Sequence, residues 1–215
     1  MIDMYKKQKI AGMIIVTIFL ILFLSLQLSQ NDKHGISAKE GKEIADSIAK
    51  NWHNDSVFVY CGSMGSCKDG LAEEWYYVYY SPSTKVVEYN ITKYEQSFIY
   101  VNANGYTKID SGFAVDSAIG LPARNWVLDS TDVAQIAKDN PTISAYLSKY
   151  KNPSAGYTLQ VIESYPNRTT WSIGWIDWGV MDDPHSARIY IDATTGEVLY
   201  VEADLSDGSS YLICF

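Results

Sequence analysis

Residues 169–178 read Thr-Thr-Trp-Ser-Ile-Gly-Trp-Ile-Asp-Trp, so bulky apolar side chains alternate with small or polar ones. Successive side chains of a β-strand point to opposite faces of the sheet. The tryptophans at 171 and 175 and the isoleucine between them therefore share one face, while Ser172 and Gly174 share the other. This alternation predicts a strand in an antiparallel sheet that has one buried face.

Three neighbouring segments have the same strand character and are separated by turn residues. They are 158–164, 187–193 and 197–203. Between the last two, the side chain of Asp192 can accept hydrogen bonds from the turn amides, and Gly196 can adopt a positive φ. The final third of the chain therefore predicts an antiparallel meander.

Upstream, the sequence predicts one helix followed by several strands. Residues 37–52 have apolar side chains at helical spacing, and Ser37 with Glu40 fits a capping box. The segments that favour strands are 57–60, 74–80, 86–92 and 98–102.

The middle of the chain predicts a connecting segment at 109–129. Residues 109–124 have little periodicity and contain two glycines, and a short strand is expected at 125–128. A second helix is expected with Ser130 as its N-cap, because serine accepts a hydrogen bond from the first free amides of a helix.

That second helix is predicted to end at Asn140-Pro141, and a further short helix is expected at 142–150. Strands follow again. The order of a helix and then strands thus occurs twice along the chain, which suggests a duplicated unit.

The N-terminal residues predict a membrane anchor. Three lysines and one aspartate lie in residues 1–9, and residues 10–31 carry no charge. About twenty apolar residues in a helix span the hydrocarbon of a bilayer, and basic residues before the span favour a cytoplasmic N-terminus. We therefore expect a cytoplasmic segment at 1–9, a single-pass transmembrane anchor at 10–31 and the bulk of the chain outside the cell membrane.

The alternative is a cleaved signal peptide, which has a shorter apolar region and a small-x-small cleavage site. Ser25-Leu26-Gln27 places glutamine where a small residue is required. The anchor is therefore favoured, and both interpretations export the chain after about residue 31.

The charge of the chain disfavours nucleic acid as a partner. The sequence has 17 basic and 25 acidic side chains, and 14 basic against 24 acidic remain once residues 1–9 are set aside. Such a surface repels phosphate backbones. Seventeen tyrosines and six tryptophans argue for packed strands and against disorder.

The cysteines predict a small disulfide loop in the exported part. Cys61 and Cys67 flank Gly-Ser-Met-Gly-Ser, a short and flexible stretch, and an oxidising compartment keeps a disulfide formed. A redox pair or half of a metal site are the alternatives. Cys214 is left over, either as a free thiol or as an intermolecular bridge.

Residues 130–203 resemble the PepSY domain family. The resemblance rests on the helix at 132–137, the strand that opens at Trp171 and the ending Ala-Arg-Ile-Tyr-Ile-Asp-Ala-Thr-Thr-Gly-Glu-Val-Leu at 187–199. It implies a helix packed across an antiparallel sheet, as in cystatins, with residues 37–102 as a diverged first copy. The expected fold class is α+β, with a transmembrane helix followed by two helix-on-sheet units at 32–108 and 130–215.

Members of this family occur in propeptides of secreted thermolysin-type metallopeptidases and in membrane-tethered proteins, and they have been proposed to inhibit or chaperone peptidases. The family has no set of catalytic residues. The resemblance therefore implies a non-enzymatic binding module that engages an extracytoplasmic protein or peptidase, without catalytic residues, a cofactor or a metal.

Two other classes of function remain open. One is a structural cell-envelope protein that dimerises through Cys214. The other is an unrecognised hydrolase or metal enzyme that uses Asp177, Asp182, Asp183 and His185, although these residues follow no known ligand spacing.

Aromatic residues of the predicted strands are the candidates for a surface that binds peptide or sugar. Tyrosine and tryptophan supply large contact areas at a low cost in conformational entropy, and the alternative is that these residues form the sheet core. The candidates are Trp75, Tyr77, Tyr79, Trp175 and Trp178. Possible glycosylation sites are Asn54, Asn90 and Asn167, each in an Asn-x-Ser/Thr sequence.

Overall fold

The computed structural model of the chain describes residues 35–116, 120–151, 153–177, 185–205 and 210–214. Within them, ten β-strands form one antiparallel sheet and three α-helices pack against it. The helices are α1 (Ala38–Trp52), α2 (Ser130–Asp139) and α3 (Pro141–Lys149). The strands are β1 (Val57–Met64), β2 (Glu74–Tyr80), β3 (Val86–Glu88), β4 (Ile91–Asn102), β5 (Gly105–Val115), β6 (Ser154–Val161), β7 (Thr169–Asp177), β8 (His185–Asp192), β9 (Val198–Asp204) and β10 (Ser210–Cys214).

The order of strands across the sheet is β10-β9-β8-β7-β6-β1-β2-β4, and both β3 and β5 pair with β4. The predicted meander is confirmed, since β6, β7, β8 and β9 are consecutive neighbours. The joint between the two halves of the chain is the pairing of β1 with β6, where Cys61 lies opposite Leu159 and Gly62 lies opposite Thr158.

The predicted fold class was wrong. We expected two α+β units, each with a helix on its own sheet, behind a transmembrane helix. The structure is mostly antiparallel sheet, and strands from both expected units belong to the same sheet. The physical reason is the β1–β6 pairing, which satisfies the backbone groups of two strands that would otherwise be exposed edges.

No helix of the described residues is long and apolar enough to cross a membrane. The predicted anchor at 10–31 lies outside the described residues.

The helices cover one face of the sheet. Helix α1 packs across β1, β2, β4 and β5, and α3 packs across β8 and β9. Side chains that alternate along the strands meet the helices in one core, and their burial stabilises the fold by removing apolar surface from water. The largest side chains of this core that are fully buried include Trp75, Tyr77, Ile99, Tyr146, Trp171 and Ile189.

The N-termini of α1 and α2 meet in this core. The amide of Ala38 donates to Ser130 Oγ at 2.9 Å, and the amide of Lys39 donates to Asp129 Oδ1 at 3.0 Å. Asp129 is also the N-cap of α2, so the prediction of Ser130 as its N-cap was wrong by one residue, whereas the capping box predicted at Ser37 and Glu40 is confirmed. The Asp129 carboxylate thus accepts hydrogen bonds from backbone amides at the N-termini of both helices. These amides have no hydrogen-bond partner within their own helix.

Local structure departs from the sequence prediction in the middle of the chain. The segment from 109 was expected to be a connection, but β5 extends to Val115 and pairs with β4 along its length. No strand forms at 125–128; instead, the amides of Val127 and Leu128 both donate to the Ala193 carbonyl. The cause is tertiary, because each segment obtains its hydrogen bonds from a partner distant in sequence.

The structure does not contain the predicted disulfide between Cys61 and Cys67. Cys61 and Cys67 are free thiols, and both are buried. Strand β1 continues to Met64, so the chain beyond Cys61 is extended and does not close as a seven-residue turn. Burial raises the pKa of both thiols, that of Cys67 to about 12. The side chain of Cys214 lies outside the described residues.

Candidate ligand-binding face

The aromatic residues predicted to form a binding surface lie in the core. Trp75 and Tyr77 are 0% exposed, Tyr79 is 2% exposed and Trp175 is 5% exposed. Alternation along their strands directs these side chains into the core beneath the helices, and Trp175 also borders a depression formed by β6, β7 and β8. Trp178 lies outside the described residues.

The face of the sheet opposite the helices, which we call the open face, has its own aromatic pattern. Strand pairing aligns seven residues in a row across it. Two tyrosines stand at each end of the row, and three small residues occupy its middle. In order across the sheet, the row is Tyr200, Tyr190, Ser172, Thr158, Gly62, Tyr76 and Tyr100.

The two tyrosine groups are well separated. Tyr190 on β8 and Tyr76 on β2 are four strand spacings apart, which is about 19 Å at the usual spacing of neighbouring strands. Between them, Ser172 and Thr158 are small and half-buried, whereas Gly62 is buried beneath the Tyr76 ring. The open face therefore has tyrosine side chains at both ends of this row and only small side chains in its centre.

Two glycines directly opposite each other deepen this centre. Gly156 on β6 pairs with Gly174 on β7. A Cβ atom at either position would meet no other atom within 4 Å, and neither residue has a positive φ. Glycine inside a strand lowers stability by about 0.5–1 kcal/mol relative to alanine. Because neither a positive φ nor crowding by neighbouring atoms requires glycine here, the fold itself does not explain these two residues. Strand glycines of this kind often mark the close approach of a ligand or another backbone.

A depression of about 920 Å³ lies over the glycine pair. Gly65 and Ser66 of the β1–β2 loop border it on one side, and Tyr190 with Glu202 borders it on the other. Residues of β6, β7 and β8 form its floor between them. Hydroxyl, amide and aromatic groups thus converge on one open site, as in typical ligand sites.

The tyrosine group on β1, β2 and β4 is fixed by contacts between its rings. The Tyr60 hydroxyl donates to the Tyr76 hydroxyl at 2.7 Å. The Tyr76 ring lies over Gly62, since a Cβ there would come within 2.7 Å of it, and the ring stacks with Tyr100 at 6.3 Å between centroids. Burial, followed by this hydrogen bond, raises the pKa of Tyr60, so its phenol stays protonated at physiological pH.

The tyrosine group on β8 and β9 is held in a similar way. The rings of Tyr190 and Tyr200 are 5.2 Å apart. Arg188 Nη1 lies 3.5 Å from the Tyr190 hydroxyl, and the Tyr200 hydroxyl donates to Glu202. Both phenols are therefore positioned before any ligand arrives, which lowers the entropic cost of binding.

The depression is nearly uncharged in an acidic protein. Among the described residues that line it, Arg188 and Glu202 are the charged ones, and they lie directly opposite each other on neighbouring strands. The whole chain has a formal net charge of −8. Depletion of charge together with tyrosine and arginine is typical of the centre of a protein–protein interface.

Two other clefts are occupied by the protein's own interactions. In a cleft of about 570 Å³ near the β6–β7 turn, Arg168 pairs with Glu197 and lies 3.5 Å from Asp192. In a cleft of about 380 Å³ beside α1, Lys42 pairs with Asp46 at 2.5 Å and lies over the Phe58 ring. Their polar side chains support the fold, so neither is the stronger candidate.

The residues suggested for a metal enzyme are only partly described. His185 Nδ1 lies 3.1 Å from Asp204 Oδ2, and the His185 ring stacks on Tyr150. Asp182 and Asp183 lie outside the described residues. Within the part of the chain that the structure describes, no group of three or more histidine, cysteine, aspartate or glutamate side chains could hold a metal ion.

The three possible glycosylation sites lie in turns. Asn54, Asn90 and Asn167 are all exposed, and Asn90 has a φ of +64° in the turn between β3 and β4. None of them lines the depression.

Sequence reasoning missed the residues of the open face because it followed the bulkiest aromatic residues. The usable signal was the alternation itself: if Trp75 and Tyr77 are buried, Tyr76 must point the other way. The partners of Tyr76 on distant strands had no such signal, because strand order decides which residues form a row.

Comparison with models of known protein families and with curated proteins gives no match. The geometry and composition of the open face are therefore the basis for the function proposed next.

Proposed function

We propose that the chain is a non-enzymatic binding module, tethered to the cell membrane by residues 10–31, that holds a partner protein outside the cell on its open face. The observation that carries this proposal is the glycine pair Gly156–Gly174 beneath a depression bordered by Tyr190, whose ring packs against that of Tyr200. The resemblance of residues 130–203 to the PepSY family supports a peptidase as the class of partner.

The open face has the properties that protein recognition requires. Tyrosine and arginine contribute most of the binding energy at many interfaces, and serine and glycine provide adaptable contacts. The tyrosine rings are held by neighbouring residues, so little side-chain freedom is lost when a partner binds. The depression gives the partner a place to insert a segment of chain.

The experiment is photo-crosslinking of the full chain in intact cells. A photoreactive phenylalanine derivative replaces Tyr190 on the open face in one variant. In the control it replaces Tyr89, which is 96% exposed in the turn between β3 and β4. We expect a partner to be crosslinked from position 190 and not from position 89.

A second variant makes the result specific to the site. Gly174→Val places a branched side chain on the floor of the depression, at a position where a Cβ meets no atom within 4 Å, and it should abolish the crosslink from position 190 when the two changes are combined. Equal crosslinking from positions 190 and 89, or a crosslink unaffected by Gly174→Val, contradicts the proposal.

A further inference from the structure

We infer that the depression on the open face takes an extended, uncharged segment of polypeptide that crosses the Gly156–Gly174 pair. This inference rests on the proposed function and specifies the chemistry of the ligand. It is argued from the glycine pair, from the extent of the depression and from its charge.

The glycine pair favours a ligand that comes close to the sheet backbone. Gly156 and Gly174 lie opposite each other within β6 and β7, with open space where side chains would stand. A polypeptide in extended conformation is thin and can lie against a flat floor of this kind. Side chains at these two positions would hold it away from the sheet.

The extent of the depression matches a short segment. Its lining runs from the β1–β2 loop across β6, β7 and β8 to Glu202 on β9, which is four strand spacings or about 19 Å. An extended chain advances about 3.3 Å per residue, so the depression accommodates about five or six residues.

The charge of the lining favours an uncharged segment. Arg188 and Glu202 lie opposite each other on neighbouring strands, so the charged side chains of the lining sum to no net formal charge. The remaining polar groups of the lining are hydroxyls and an amide, among them Thr158, Gln160 and Ser172. Such groups can pair with peptide N–H and C=O groups, whereas a lysine or aspartate of the ligand would lose solvation against a lining that has no net charge.

The experiment measures binding of hexapeptides to the full chain in detergent micelles. One pool of fluorescent peptides contains uncharged residues only, and a second has the same composition with lysine or aspartate at the central positions. Fluorescence anisotropy gives Kd for individual peptides selected from each pool. We expect binding to members of the uncharged pool and binding weaker by about tenfold or more for their charged counterparts.

The site is tested with matched glycine variants. Gly174→Val fills the depression, and Gly112→Val makes the same change on the same face at edge strand β5, where a Cβ also meets open space. We expect Gly174→Val to weaken binding by about tenfold or more and Gly112→Val to leave Kd unchanged within about twofold. Circular dichroism and Tm of each variant verify that it folds.

The outcomes separate this inference from the proposed function. Failure of every uncharged peptide to bind, or binding that Gly174→Val does not weaken, overturns the inference. Binding of neutral oligosaccharides on an array, lost in Gly174→Val, also overturns it, because the ligand would then be a glycan. The crosslinking from position 190 tests the proposed function separately and can succeed when all peptides fail.

Discussion

Asp129 has an unusual number of structural tasks for one residue. Its carboxylate accepts from the Lys39 amide at the start of α1 and caps α2. Both helices direct the positive ends of their dipoles toward it, so a negative charge at this point stabilises both. The neighbouring Ser130 hydroxyl accepts from the Ala38 amide in a fully buried position.

Replacing Asp129 should therefore destabilise the protein more than loss of an ordinary helix cap. An N-cap change to alanine costs about 0.5–2 kcal/mol for one helix, and here two helices lose hydrogen bonds. We expect Asp129→Ala to lower the free energy of unfolding by about 2 kcal/mol or more, measured by urea denaturation. The control is Glu43→Ala at an exposed position of α1, which should change it by less than about 0.5 kcal/mol.

The two buried thiols give a second prediction at this scale. Burial raises the pKa of Cys67 from 9.0 to about 12, and it raises that of Cys61 as well. The thiolate is the reactive form, so at pH 8 its fraction at Cys67 falls roughly a thousandfold relative to the unfolded chain. We expect Cys214→Ser protein to react with a thiol reagent very slowly when native and to show two thiols when unfolded without reductant.

Recovery of fewer than two thiols from the unfolded, unreduced protein would contradict the structure. It would instead support the disulfide that the sequence predicted between Cys61 and Cys67.

At the scale of elements, close approach of the β1–β2 connection to α2 depends on one glycine. Gly70 has a φ of +82°, and a Cβ there would lie 2.3 Å from the Ser130 carbonyl oxygen. Gly65, in the same connection, has a similar φ of +74° but open space around it. A substitution at Gly65 therefore measures the cost of a side chain at positive φ alone, whereas a substitution at Gly70 adds a steric overlap with α2.

We expect Gly65→Ala to lower the free energy of unfolding by about 1–2 kcal/mol, the cost of placing a side chain at this φ. Gly70→Ala should lower it by about 1–3 kcal/mol more, because overlap with Ser130 forces α2 to shift. Urea denaturation of both variants tests this. Equal losses would show that the backbone of α2 does not pack against Gly70.

The hairpin of β4 and β5 shows why elements were predicted unevenly. Along β7, large apolar side chains alternate with small or polar ones, so this strand was evident from the sequence. Strand β5 has exposed apolar side chains such as Ile109 and Phe113, which are 42% and 60% exposed. Its sequence therefore lacks a clear buried face, and it is a strand because β4 supplies its hydrogen bonds.

At the scale of the whole molecule, the halves of the chain share one sheet and one core. Trp75 from the first half and Trp171 from the second are in edge-to-face contact at 6.1 Å, and Trp126 contacts Trp171 at 5.7 Å. Separation of the halves would expose these rings and leave β1 and β6 as unpaired edges.

We therefore expect the protein to unfold in a single cooperative transition. Tryptophan fluorescence and far-ultraviolet circular dichroism should give the same midpoint in urea, as two-state unfolding requires. The fragments 32–129 and 130–215, produced separately, should lack native circular dichroism and a cooperative transition. A fragment that folds alone, or two separate transitions of the intact chain, would show that the halves are independent.

The sequence by itself determined the local features that depend on neighbouring residues. The helices at 37–52 and 130–139, the capping box at Ser37 and the meander of β6 to β9 follow from periodicity, side-chain caps and turn residues. These signals lie within a few residues of each other, so they can be read without the fold.

Only the tertiary structure decided what depends on strand order. Pairing with β2 carried β1 to Met64, within the expected disulfide loop, and packing in the core buried the aromatic residues expected to bind a ligand. The β1–β6 pairing joined two expected units into one sheet. It also aligned Tyr76 with Thr158, Ser172 and Tyr190 on the open face. Strands about a hundred residues apart in sequence could pair with many partners at similar energy. The packing of the whole core selects the pairing that forms.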